Sequence, residues 1–180
     1  MQTIKVIETE RLILRTWKES DAEAYFEINQ DPKVLEFLPG PLTMDTVKRF
    51  IADMNQRFAD HGYTLWAVEE KTTGAMMGFI GFSSPSWKAH FIPCVEIGWR
   101  LGSQYWGKGY ATEGAKAVLE YGFKNFGWNE IVSFTVPNNV RSIRVMKKIG
   151  MKRDLNGDFS LPVFPLDHPL SKHVLYRIAQ

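Results

Sequence analysis

Two rhythms of apolar and polar positions run along this chain. A period of two marks strands, and a period near 3.6 marks helices. Over Thr9–Trp17, Leu12 and Leu14 alternate with Arg11 and Arg15, which predicts a first strand. Ser20 or Asp21 then caps a helix through Ala22, Ala24, Tyr25, Phe26 and Ile28. Asp31-Pro32 opens a short helix with Val34, Leu35 and Leu38 on one side, and Pro39-Gly40-Pro41 breaks it. From Thr43 to Asp60, the positions Val47, Phe50, Ile51, Met54 and Phe58 recur at helical spacing, and His61-Gly62 ends that longer helix. Thr64–Glu70 and Met77–Phe82 flank a turn at Lys71–Gly74 and predict a hairpin. A loop from Ser83 to Pro93 leads to an alternating strand, Val95–Leu101. The next helix carries Ala111, Ala115, Val118, Leu119, Tyr121 and Phe123. Glu130–Val136 reads as a β-branched strand, and Asn138–Ile149 as a helix closed by Gly150. Met151–Asp154 and Lys172–Ile178 predict a last pair of strands.

Strands and helices thus alternate from one end to the other, without a repeat or a linker. At 180 residues this predicts one α/β domain over residues 1–180. Hydrophobic content of 44% with 23% charged residues is ordinary for a globular protein. A net charge of +2 gives no ground for a nucleic-acid or membrane partner. One cysteine, Cys94, excludes an internal disulfide and a cysteine-built metal cluster; it reads as a small core residue. The chain has no apolar run long enough to span a bilayer and no signal-peptide core near Met1–Glu8, so a cytoplasmic location is expected.

The chemistry gathers at Gln104-Tyr105-Trp106-Gly107-Lys108-Gly109-Tyr110-Ala111, which reads Gln-x-x-Gly-x-Gly and joins a strand to a helix. The first amides of a helix have no partner inside it and carry the positive end of the dipole. Glycines ahead of them let a ligand approach the backbone closely. Together these features make an anion site, typically for phosphate. A P-loop needs Ser or Thr after the lysine, but Gly109 follows Lys108. A dinucleotide fingerprint needs a third glycine sooner than Gly114. Both nucleotide readings fail on spacing.

The stretch resembles motif A of the GNAT N-acetyltransferases, whose loop holds the pyrophosphate of acetyl-coenzyme A. The resemblance covers nearly the whole chain. Glu8–Arg15 is similar to the opening of the branch that includes ribosomal-protein N-terminal acetyltransferases, and so is Val95–Glu113 almost throughout. Asn139-x-x-Ser142, ending in Lys148-Ile149-Gly150-Met151, resembles motif B, and His173–Arg177 resembles a frequent terminal strand. The fold implied is mixed α/β, with a mostly antiparallel central sheet of six to seven strands flanked by helices. There are departures. No Tyr lies between Asn139 and Gly150 to protonate a thiolate, and Asp158–Pro162 replaces the expected Asp-Phe-x-His-Pro.

The implied reaction is attack of an amine on a thioester, without a metal. The amine must first be neutral. That costs little for an α-amino group of pKa about 7.7–8.0, and roughly 4–5 kcal/mol for a lysine at pH 7. A positioned carboxylate helps with the proton. Glu96, in an apolar strand, is the candidate base, and burial would raise its pKa. Ser142 shares a helix face with Val145, Met146 and Ile149; its hydroxyl either bonds its own helix carbonyl or reaches the cofactor sulfur as proton donor. Resemblance adds cofactor contacts from the Trp99 and Leu101 backbones, from Gln104, Gly107, Lys108, Gly109, Tyr110 and Ala111, and from Asn139, itself a good N-cap. Arg141, Arg144 and Lys148 form a basic face, solvated or turned to the 3′-phosphate. His168 reads as a loop residue and His173 as structural.

The acceptor pocket is expected between Asp31–Leu42, the Ser83–Pro93 loop and the final strands, with Phe37, Trp87 and Phe91 as candidate lining. A protein N-terminal α-amine is the first acceptor expected, with a small amine such as a polyamine or an antibiotic as the alternative. A non-catalytic acyl-coenzyme A-binding module is the rival. A monomer or a homodimer fits either.

Overall fold

The strand alternation divides the apolar side chains between two cores. In β3 (Leu65–Glu70), Trp66 and Val68 enter one core and Ala67 the other. In β4 (Met76–Ser83), Ile80 and Phe82 face the first and Phe79 the second. A sheet buried on both faces needs helices on both. The computed structural model, which describes residues 3–180, supplies them. On the first face lie α4 (Tyr110–Phe126) and α5 (Val140–Lys148). On the second lie α1 (Asp21–Ile28), α2 (Pro32–Leu35) and α3 (Met44–His61).

The sheet has eight strands in the order β1-β2-β3-β4-β5-β6-β8-β7. Here β1 is Lys5–Glu8, β2 Leu12–Arg15, β5 Glu96–Leu101, β6 Glu130–Thr135, β7 Lys152–Ser160 and β8 Lys172–Ala179. Every neighbouring pair is antiparallel except β5–β6. The sheet therefore exceeds the six to seven strands expected. The additional strand is β1, a four-residue edge with only Ile7 buried, which leaves little apolar alternation to read. Strand β7 also runs beyond the expected Asp154, through a bulge between Asp154 and Phe159.

Helix α4 sits hard against β4. A Cβ at Gly114 would lie 2.4 Å from Ile80, and one at Gly122 would lie 2.5 Å from Phe82. Only glycine permits that approach. Helix α3 begins with Thr43, whose hydroxyl accepts the Thr46 N–H at 3.2 Å, and ends at Gly62 in the left-handed region. Helix α1 departs from expectation, because neither Ser20 nor Asp21 caps it through a side chain. The Asp21 carboxylate is taken instead by Arg15, at 2.7 and 2.8 Å, and by the Lys18 N–H at 2.8 Å. Arg15 is buried, and its charge also draws Glu69 to 2.7 Å. A buried guanidinium left without carboxylates would cost more than a cap is worth.

Candidate active site

A gap in the sheet creates the cleft. β5 pairs with β4 from Gly78↔Leu101 to Ser83↔Glu96. With β6 it shares a single register position, Glu96↔Val132, where the Val132 N–H donates to the Val95 carbonyl at 2.9 Å. Beyond that rung the two strands part. The Gly102 N–H turns to Met77 O at 2.9 Å on the β4 side. By strand alternation, the backbone groups of Trp99 and Leu101 face the opening. The Leu101 carbonyl receives the Trp106 indole N–H at 2.8 Å, so its amide and both Trp99 groups remain for a ligand.

The glycine turn closes one end of a cleft of about 520 Å³. Gly107 and Gly109 have φ of +75° and +84°, where other residues are strained. Helix α4 starts at Tyr110 without a side-chain cap, which leaves its first amides unsatisfied. Behind the turn, the Glu113 carboxylate accepts from the Thr9 hydroxyl (2.7 Å), the Arg11 N–H (2.9 Å) and Arg11 Nε (2.7 Å). Arg11 Nη1 reaches the Lys108 carbonyl at 3.0 Å, and the guanidinium lies 4.3 Å from the Tyr110 ring centre. The sequence reading gave Arg11 and Glu113 no part in the site. Residues 102 positions apart carry no local signal of their pairing.

Glu96 stands where β5 and β6 part. Its Oε2 accepts the Ser83 hydroxyl at 2.8 Å, and among the described residues no arginine or lysine pairs with it. Burial pushes its pKa up to about 7, and the Ser83 hydrogen bond partly opposes that rise. Asn139 caps α5, accepting the Ser142 N–H at 3.2 Å while donating to the Thr135 hydroxyl at 3.0 Å. The Ser142 side chain lines the cleft and, among the described residues, bonds no helix carbonyl. Glu96, Trp99, Leu101, Gly107, Gly109, Tyr110, Ala111, Asn139 and Ser142 all line this one cleft. Gln104 and Lys108 do not, and both are exposed. The Gln104 side chain lies against Gly102, where an added Cβ would meet it at 2.7 Å.

Arg141, Arg144 and Lys148 are exposed, as a solvated basic face requires, but Arg141 also has a partner. It pairs with Glu36 beyond α2, and its guanidinium lies 4.6 Å from the Trp106 ring centre, so it ties α5 to the opposite side of the cleft. Phe37 lines the cleft beside it. Trp87 and Phe91 do not. They pack with Phe134 and Phe159 into a third core, with Trp87 stacked on Phe159 at 5.4 Å. Cys94 packs against the same core, and burial raises its thiol pKa to about 11. His173 lines the cleft, bonds the Ser171 carbonyl at 3.0 Å, and is kept below its ordinary pKa by burial. His168 accepts the Leu170 N–H at 3.1 Å in the loop before β8. Among the described residues, no group of three or more His, Cys, Asp or Glu is placed to hold a metal, and no helix is long and apolar enough to cross a membrane.

A glycine turn at an uncapped helix start opens here on a parted pair of parallel strands, an arrangement that can seat an anionic ligand. The acetyltransferase (GNAT) domain family matches residues 11–152, and the chain belongs to that family. It is 36% identical over 149 residues to an uncharacterised N-acetyltransferase of Bacillus subtilis, YnaD, covering 82% of this chain and 83% of the relative. The crystal structure of a GNAT-family acetyltransferase from Bacillus anthracis superposes with a TM-score of 0.78 at 31% identity, covering 96% of this chain and 97% of that one. Spermidine N-acetyltransferase from Vibrio cholerae, solved with CoA and spermine, shares the fold at TM-score 0.73 and 16% identity, over 96% and 97% of the two chains. The protein is an N-acetyltransferase with a mostly antiparallel sheet, as the family resemblance implied.

Proposed function

We propose that this enzyme moves the acetyl group of acetyl-coenzyme A directly to a primary amine, with an α-amine such as a protein N-terminus as acceptor. The observation that carries the reading is the position of Glu96: a carboxylate at the parting of β5 and β6, bonded to the Ser83 hydroxyl and, among the described residues, paired with no cation, where burial pushes its pKa up to about 7. A base of that strength is matched to an α-amine, whose pKa is about 7.7–8.0. Lysine, at about 10.4, is a poorer match. A small amine is the alternative acceptor, as in the spermidine enzyme that shares the fold.

The cleft suits the cosubstrate. The left-handed glycines and uncapped α4 amides offer a seat for the pyrophosphate. The Trp99 and Leu101 amides offer main-chain partners along the arm, in the manner of an added strand. In the reaction, Glu96 takes a proton from the amine, directly or through water. The nitrogen then bonds to the acetyl carbonyl carbon and the carbon–sulfur bond breaks. The excess proton left on the bonded nitrogen passes to the unengaged Ser142 hydroxyl as that hydroxyl gives its own proton to the leaving sulfur, so Ser142 ends neutral and the thiol is released.

Thiol release tests the reading. The protein is incubated with acetyl-coenzyme A and a panel of N-terminal peptides and small amines, and free coenzyme A is followed. Amine-dependent release that falls at least a hundredfold in Glu96→Gln, and less steeply in Ser142→Ala, is expected. Coenzyme A binding without release for any amine would favour the non-catalytic binding module.

A further inference from the structure

Arg100 is a cleft residue whose charge the protein leaves uncompensated. It lies on the same face of β5 as Glu96, four residues along, which places the two backbone positions about 13 Å apart. Both side chains line the cleft. That face is the one covered by α1, α2 and α3, since the guanidinium lies 5.6 Å from the Phe79 ring centre. Trp99 and Leu101 belong to the opposite face, which packs on α4. Arg100 is therefore turned away from the glycine turn and towards the acceptor side.

Its partners are all neutral. Nη1 donates to Asn29 Oδ1 at 2.6 Å and lies 3.4 Å from the Tyr25 hydroxyl. Asn29 is fully buried and pinned by its own hydrogen bond to the Tyr25 carbonyl at 2.6 Å. The guanidinium is thus held in place by groups that do not neutralise it. Among the described residues, no carboxylate lies within 4.0 Å of it. Buried Arg15 is the contrast, with both Asp21 and Glu69 as partners. A partly buried cation without a counter-charge is costly, and an anionic ligand would offset that cost. The charge around the cleft points the same way. Among the described residues, Glu96 is the one carboxylate lining it, against Lys33, Arg100, Arg144 and Lys148, with Arg141 already paired to Glu36. Such a cleft is ill-suited to a polycation.

We propose that the acceptor amine carries its own anionic group, a carboxylate or a phosphate, which Arg100 receives while the amine lies at Glu96. This rests on the acetyl-transfer reading and narrows it to a substrate class. It makes Arg100 a specificity-determining residue, and the Asn29–Tyr25 pair its support.

The test compares matched acceptors with acetyl-coenzyme A. One arm uses 4-aminobutyrate and 6-aminohexanoate against their carboxamides. A second uses aminoalkyl phosphates against the parent amino alcohols. A third uses peptides with Asp or Asn at the second position, and spermidine completes the panel. In at least one arm, kcat/KM for the anionic member should exceed that of its neutral partner by tenfold or more, and that arm identifies the source of the anion. Arg100→Gln should reduce the preference to less than twofold, with the larger fall on the anionic member of each pair, and Arg100→Lys should retain part of it. Unchanged coenzyme A affinity and thermal midpoint would establish that the variants are folded. Equal or better use of neutral acceptors or spermidine in every arm would overturn the proposal and leave acetyl transfer standing. So would an equal fall on both members of a pair in Arg100→Gln. If no amine releases coenzyme A, the transfer reading fails instead. The anion site is then judged by calorimetric binding of the same pairs to the wild type and to Arg100→Gln, and equal binding overturns it.

Discussion

Ser83 and Glu96 face each other directly across the β4–β5 ladder, and the Ser83 hydroxyl donates to the Glu96 carboxylate at 2.8 Å. That bond favours the charged carboxylate, while burial favours the neutral acid and prevails. Ser83→Ala should therefore push the Glu96 pKa further above 7. The rising limb of kcat against pH, measured with one saturating amine, should move to higher pH. Glu96→Gln should remove that limb and lower kcat by about 10²–10⁴-fold. An unmoved limb in Ser83→Ala would separate Glu96 from the proton transfer.

The same carboxylate sets a pH dependence of stability. Its folded pKa of about 7 lies above the ordinary 4.5. Between those values the folded chain holds a proton that the unfolded chain has released, so stability falls as pH rises through that window. Glu96→Gln lacks this penalty. Relative to wild type it should gain on the order of 1–3 kcal/mol at pH 8 and almost nothing at pH 4.5, as read from urea unfolding.

The turn glycines act through backbone conformation. A Cβ at Gly107 meets nothing within 4 Å, and one at Gly109 meets only Arg11 Nη2 at 3.5 Å. Alanine at either site is thus penalised by its positive φ, by about 1–2 kcal/mol. The turn would relax away from that conformation, so coenzyme A affinity measured by calorimetry should fall about tenfold in each variant.

Glu113→Ala should loosen the turn from behind. It strips acceptors from the Thr9 hydroxyl, the Arg11 N–H and the Arg11 guanidinium. The Arg11 side chain is 40% exposed, so solvent screens the ion pair and the loss falls mostly on the other two donors. A cost of about 2 kcal/mol in urea unfolding is expected, with weaker coenzyme A binding. Arg11→Met, which keeps the Thr9 and backbone bonds to Glu113, should cost less.

The sequence carried the helices and most strands because each buries a continuous face. Val47, Phe50, Ile51 and Met54 on α3 are a direct record of the core beneath them. The glycine turn was legible for a similar reason, since positive φ restricts the residue type. Gln104 and Lys108 were placed in the site by motif spacing alone, and spacing does not fix where a side chain on a short turn points. The parting of β5 and β6 left no trace, because it is a relationship between two backbones. Arg100 read as one more polar residue in an alternating strand. Its significance lies in Tyr25 and Asn29, 75 and 71 positions away, and in the absence of a carboxylate beside it.

The order of strands in the sheet differs from their order in the chain at one place: β8 lies between β6 and β7. A ribosome delivers β6 and β7 first, and neither can pair with the other without misregistering the sheet. Both must wait with open edges until residues 172–179 emerge. The wait is shared by the cleft, because His173 enters it on β8. During synthesis, the half of the sheet built from β1 to β5 can form early, because each of its strands pairs with the next strand in the chain. The half that closes the site is assembled only when its middle strand arrives.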